Sequence, residues 1–365
     1  MIDEETSKRI TSLRFLLACF VVFIHNHPTE VNFADGVMKI DEPMWSAVIR
    51  DTVTGFWGGI AVPAFFIISG YLFFAKPKPL AKTIKAKLKG IVLPYVLWTL
   101  ISIFLYFVAQ SFSFSKMYFV QEQNLIRSWH FLDFVKAFFG RQIPPNDYYS
   151  PLVYQFWYIR NLLMFMAFSP ILLFCYKKSP FATFILITAQ SALHRLGVFQ
   201  DPLWISDALF YFTLGLYSVK YSSKVIAILD SIKWKDFLVA YFISLCITEY
   251  VSFNEIKANF FSWGNHLFTI ALAIKLAGKM CKNEKIFAKL TFLSEYSFWI
   301  YAFHAPFVIA VMEKLSLKII PMHDALILVQ FFGISILCIL FLLLSGIALK
   351  KICPPLFALL NGGRK

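Results

Sequence analysis

Arg14 and His25 belong to an N-terminal run, Ile10 to Ile24 and its end, that is otherwise apolar. An ionisable group in such a run is costly to bury and usually functional. Eleven residues make about three helical turns, so the two side chains lie near one face, about 16 Å apart along the axis. A guanidinium there can hold a phosphate or steady a developing oxyanion, and an imidazole can take up a proton near neutral pH. The bland alternative stays open, with Arg14 snorkelling to cytoplasmic lipid phosphates and His25 marking the helix end.

Four further residues need the same scrutiny. Arg160 follows Gln155-Phe156-Trp157-Tyr158-Ile159 and sits about 9 Å below the outer end of its span. Asp207 lies near the outer end of another span and could form a structural ion pair with Arg160. Glu295 and His304 bracket Tyr296-Ser297-Phe298-Trp299-Ile300-Tyr301-Ala302-Phe303. Nine residues place those two on opposite sides of an ideal helix, so they do not read as one dyad, and Glu295 could pair with Arg14 at similar depth. His304, followed by Ala305-Pro306, reads either as a proton shuttle or as a packed helix-breaking site.

The elements that position these groups follow from composition. The chain has 365 residues, 59% of them hydrophobic and 15% charged, and a mean hydropathy of +0.66. That is too apolar for a soluble domain of this length and reads as an all-α, polytopic membrane bundle. Windows of about 17 to 25 residues give ten expected spans, near 10–26, 57–75, 90–110, 153–176, 181–197, 203–219, 237–252, 261–278, 290–312 and 325–349. They form a single membrane domain over residues 1–365, with no soluble domain. The two long connections are 27–56 and 111–152, and the second holds an amphipathic stretch, Phe131 to Phe139, suited to the membrane interface. Arg14 interrupts the first run and no small-residue cleavage site follows, so it is expected to be a retained helix rather than a signal peptide.

The formal charge of +14 could suggest nucleic acid, but no basic stretch is interleaved with stacking aromatics outside the apolar spans. Membrane orientation explains it better. With ten spans, 23 of the 35 Lys and Arg residues fall on the N-terminal side and 10 on the other, predicting cytoplasmic termini. Arg14 and Arg160 are the two left inside spans. The six cysteines are scattered without metal-ligand spacing, as are His27, His130, His194, His266 and His323, which predicts no metal site and solvated histidines.

Arg14-x10-His25, then Val62-Pro63-Ala64-Phe65-Phe66-Ile67-Ile68-Ser69-Gly70-Tyr71-Leu72, then a basic loop running into Leu93-Pro94-Tyr95, resembles the acyltransferase 3 family. Phe156-Trp157-Tyr158-Ile159-Arg160 with Pro170, and Tyr296 to His304, are similar to its later signatures, in the same order. The resemblance implies ten helices that move an acyl group, commonly acetyl, from cytoplasmic acyl-CoA to a glycan hydroxyl in a bacterial inner membrane. It also implies that Arg14 and His25 are essential. The family usually carries an arginine pair in the basic loop, whereas residues 76–89 here hold six lysines and no arginine. Lys82, Lys85, Lys87 and Lys89 can then gather CoA phosphates only as point charges, without bidentate forks.

The expected chemistry assigns His25 as the base that activates the acceptor hydroxyl and Arg160 as the partner of the tetrahedral oxyanion. Arg14 would hold the CoA phosphate or pantetheine, and His304 would shuttle the proton or hydrogen-bond the acceptor. The partners expected are acyl-CoA, a glycan or lipid-linked saccharide, and membrane lipids. Acetyl and succinyl donors, direct and covalent transfer, and any oligomeric state all fit this pattern. An exporter of a polysaccharide or small polar solute is the competing class, although the paired broken helices or inverted repeats that would mark transport are not visible.

Overall fold

The computed structural model describes residues 3–33, 36–75, 82, 86–115, 125–142, 148–253, 258–317, 319 and 323–363. Almost all of them are helical, which establishes the all-α class. The exceptions are two short antiparallel hairpins in the long connections. One pairs β1 (Glu30–Phe33) with β2 (Gly36–Lys39), and the other pairs β3 (Arg141–Gln142) with β4 (Tyr149–Ser150). Among the described residues, five helical stretches are long and apolar enough to cross a membrane: Met44–Phe74, Leu88–Ser111, Tyr154–Lys178, Ser297–Ser316 and Ile327–Ile352. The expectation of ten is therefore met for five. The first helix, α1 (Glu4–Ile24), falls outside this set because Lys8, Arg9 and Arg14 crowd its apolar window.

The chain divides into two compact units. The first comprises Met1–Leu17, Gly59–Lys78 and Arg160–Ser294. Its centre is the crossing of α3 (Ala61–Phe74) with the long helix Ile205–Ser231. Gly70 and Gly215 meet there: a Cβ on Gly70 would lie 2.2 Å from the Phe212 carbonyl oxygen, and one on Gly215 would lie 2.4 Å from the Ile67 oxygen. Two glycines thus let the helix backbones touch. Phe66, Phe165 and Phe212 pack beside the crossing.

Arg9 is buried at 2% exposure and anchors the other end of the long helix through both Asp230 oxygens (3.1 and 2.5 Å), Glu5 and the Ile274 carbonyl. Lys275 is 4% exposed inside the helix Ala258–Cys281. Its ammonium donates to the carbonyls of Leu229 and Ile232 at 2.6 and 2.7 Å, satisfying acceptors at the end of the helix Ile205–Ser231.

The second unit comprises Ala18–Gly58, Pro79–Ile159 and Glu295–Lys365. It contains the end of α1, α2 (Met44–Asp51), α4 (Leu93–Ser111), α5 (Phe131–Phe139), and the C-terminal helices from Ser297 onward. The amphipathic stretch expected at Phe131 is α5, which leaves Phe131, Leu132 and Phe139 exposed. Trp98 of α4 packs on Trp299 and Phe303, and its indole N–H donates to the Leu360 carbonyl.

Candidate functional site

The site is built in the second unit, from the end of α1 and a broken helix. α1 stops at Ile24 because Asn26 and Pro28 follow, and neither favours continuation. What comes after is pinned. Ile24 lies against Gly58, where a Cβ would come within 2.7 Å of its Cγ1. Phe23 packs edge-on against Phe331 at 5.4 Å. The Asn26 amide donates to the Phe331 carbonyl at 2.8 Å and the Ser335 hydroxyl at 2.9 Å. The His27 backbone N–H donates to Glu313 at 2.9 Å. His25 is held between these contacts.

Opposite it, α6 (Ser297–Phe303) gives way to a wider π-type turn, His304–Val308, with Ala305 in an extended conformation at φ −130°, ψ 156°. His304 sits at the break and is fully buried. Its Nδ1 lies 3.1 Å from the Ile300 carbonyl and 2.9 Å from that of Tyr301. Carbonyls only accept, so the proton of a neutral ring is on Nδ1 and Nε2 carries the lone pair. That Nε2 is buried without a hydrogen-bond partner.

The two imidazoles stack, with ring centroids 5.3 Å apart and planes inclined by 27°. Tyr154 lies edge-on to His25 at 4.8 Å. Next to it, Gln155 donates from its carboxamide to the carbonyls of Ala302 (3.3 Å) and Ala305 (2.6 Å), on either side of His304. The Gln155 backbone carbonyl accepts from the Tyr301 hydroxyl at 2.5 Å. The result is a packed, polar cluster bearing an imidazole with an unused lone pair.

Arg14 is half-buried on α1 in the first unit. Arg160, also there and 6% exposed, donates to the Asn161 side chain and the Leu203 carbonyl at 3.0 Å each. Asn161 donates to Leu203 and Trp204 as well, so the two residues hold the turn that enters the Ile205–Ser231 helix. Asp207, offered from sequence as the partner of Arg160, pairs with Arg195 at 2.7 Å and accepts from Ser191. These two residues end the preceding helix, Pro180–Arg195, and so lie nearer to Asp207.

Glu295, for which sequence suggested Arg14, pairs with Lys350 at 2.7 Å. It precedes α6 instead of riding on a continuous helix with His304, so the opposite-face argument does not apply. Lys82 and Lys89 are exposed and Lys87 is half-buried, while Lys85 lies outside the described residues. His266, expected to be solvated, is half-buried within the helix Ala258–Cys281. Among the described residues no three His, Cys, Asp or Glu side chains are grouped to hold a metal ion.

Sequence reasoning passed over Asn26 and Gln155 although both were in view. The signal was the one that singled out Arg14: a polar side chain where apolar packing is expected.

A family model described as an acyltransferase domain, of the acyltransferase 3 type, matches residues 7–349. The chain belongs to this family. It is also similar to the succinoglycan biosynthesis protein ExoH of Rhizobium meliloti (strain 1021), with 24% identity over 99% of this chain and 94% of that protein. No solved structure matches it. The protein is accordingly a membrane acyltransferase.

Proposed function

We propose that the protein transfers an acyl group, acetyl in the simplest case, from cytoplasmic acyl-CoA to a hydroxyl of a cell-surface or lipid-linked glycan in a bacterial inner membrane, with its termini cytoplasmic. The observation that carries this is the stacked His25–His304 pair, in which His304 keeps its Nε2 lone pair unused and out of water. The glycan class is supported by similarity to a succinoglycan biosynthesis protein.

The chemistry needs one proton moved twice. An imidazole takes the proton of the acceptor hydroxyl as its oxygen attacks the thioester carbonyl carbon. The tetrahedral intermediate collapses with loss of CoA thiolate, and the imidazolium returns the proton to sulfur. Two imidazolium rings stacked at this distance would repel, so the pair works with a single added proton that either ring can present. Arg14 and Arg160 keep the roles of donor binding and oxyanion stabilisation, with Lys82, Lys85, Lys87 and Lys89 gathering CoA phosphates as point charges.

Mass spectrometry of surface glycan from cells with and without the chain tests this. Loss of O-acyl groups from polymer that still reaches the surface is the expected result. Fully acylated polymer retained inside the cell would instead support an exporter.

A further inference from the structure

Gln155 carries an arrangement that transfer by a histidine base does not require. It is 2% exposed. Its side-chain nitrogen faces two backbone carbonyls, those of Ala302 and Ala305. Reversing the amide would set oxygen against oxygen, so the orientation is fixed by its partners. The carboxamide oxygen therefore faces away from the tether, and it is buried with no hydrogen-bond partner. Leaving an acceptor buried and unpaired is unfavourable, and natural proteins tolerate it mainly where something else supplies the donor.

His304 Nε2 is in the same condition. The residue that presents one acceptor is bonded to the carbonyls on either side of the residue that presents the other. Two lone-pair atoms, on residues bonded to the carbonyls between Ile300 and Ala305, call for a ligand with two O–H or N–H donors. A sugar with neighbouring hydroxyls is such a ligand, and a donor thioester is not.

Resting on the acyltransferase reading above, we infer that the side-chain oxygen of Gln155 binds a second hydroxyl of the acceptor sugar, beside the hydroxyl that His304 meets. Gln155 then sets which hydroxyl is acylated. Its tether to Ala302 and Ala305 fixes the spacing between the two contacts, so the ring seats in one register. A site built to bond a hydroxyl discriminates strongly when that bond is lost, because its own polar group is left unpaired.

The test separates position from yield. Cells expressing wild type, Gln155→Met or Gln155→Glu are compared by nuclear magnetic resonance of their extracellular polysaccharide, with the chain quantified in the membrane. Gln155→Met removes the acceptor oxygen. It is expected to spread acyl groups over a second hydroxyl of the same sugar and to lower total acylation about tenfold. Gln155→Glu sets a carboxylate oxygen against the Ala302 and Ala305 carbonyls and loses the tether, so it is expected to lower yield and to spread position as well. Acylation confined to the wild-type hydroxyl in both variants, at whatever yield, overturns the inference and leaves Gln155 a structural tether. Failure of both variants to accumulate in the membrane assigns Gln155 to the fold and overturns it too. If wild-type polysaccharide carries no O-acyl group that depends on the chain, the parent reading fails first, and that outcome is recognisable without any variant.

Discussion

His25 and His304 stack at 5.3 Å, one at the end of the first helix and the other 279 positions further along at the break of another. Neither ring is placed by its own helix alone. Asn26 and His27 hold one through Ser335, Phe331 and Glu313, and Gln155 holds the segment of the other. Replacing His25 with Ala should abolish acyl transfer, by at least about 100-fold given the usual contribution of a positioned base. The protein should still accumulate in the membrane. Transfer that persists at the wild-type rate would remove His25 from the mechanism.

Much of this arrangement was legible in the chain. Arg14-x10-His25 stood out because charge in an apolar run has few excuses, and the all-α class followed from hydropathy. Partners were harder to read, because Glu295 and Asp207 chose Lys350 and Arg195, whose proximity depends on where helices end. The turn at Glu295 and Tyr296, before the helix that starts at Ser297, defeated the ideal-helix argument for Glu295 and His304, since face assignments assume an unbroken 3.6-residue period.

Arg14→Lys keeps the positive charge but loses the planar fork that matches phosphate or carboxylate. A severe loss of transfer is expected, measured with labelled acyl-CoA in membranes holding equal amounts of each protein. Wild-type activity would instead favour a snorkelling side chain.

Gly70→Ala should destabilise the first unit, because its methyl would lie 2.2 Å from the Phe212 carbonyl and force the helix crossing apart. Overpacking of this kind costs about 1–3 kcal/mol. The thermal midpoint of the detergent-solubilised protein should fall accordingly. An unchanged midpoint would mean that the two helices do not approach this closely.

Asp230 gives a pH signature. Its bonds to Arg9 hold its carboxyl below the ordinary carboxylate range. Because the folded value is depressed, the stabilisation is present above the unfolded value of about 3.9 and disappears as pH falls through the folded one. Asp230→Asn should therefore lower the thermal midpoint at neutral pH, with the gap to wild type closing on acidification. A gap of the same size throughout would contradict this pairing.

The most direct measurement is the O-acyl content of surface glycan from cells carrying His304→Ala in place of the wild-type chain, at matched membrane abundance. If the unpaired Nε2 is where the acceptor hydroxyl meets the enzyme, O-acylation falls by at least about 100-fold while polymer still reaches the surface. Normal O-acylation, or unexported polymer accumulating inside the cell, would contradict it.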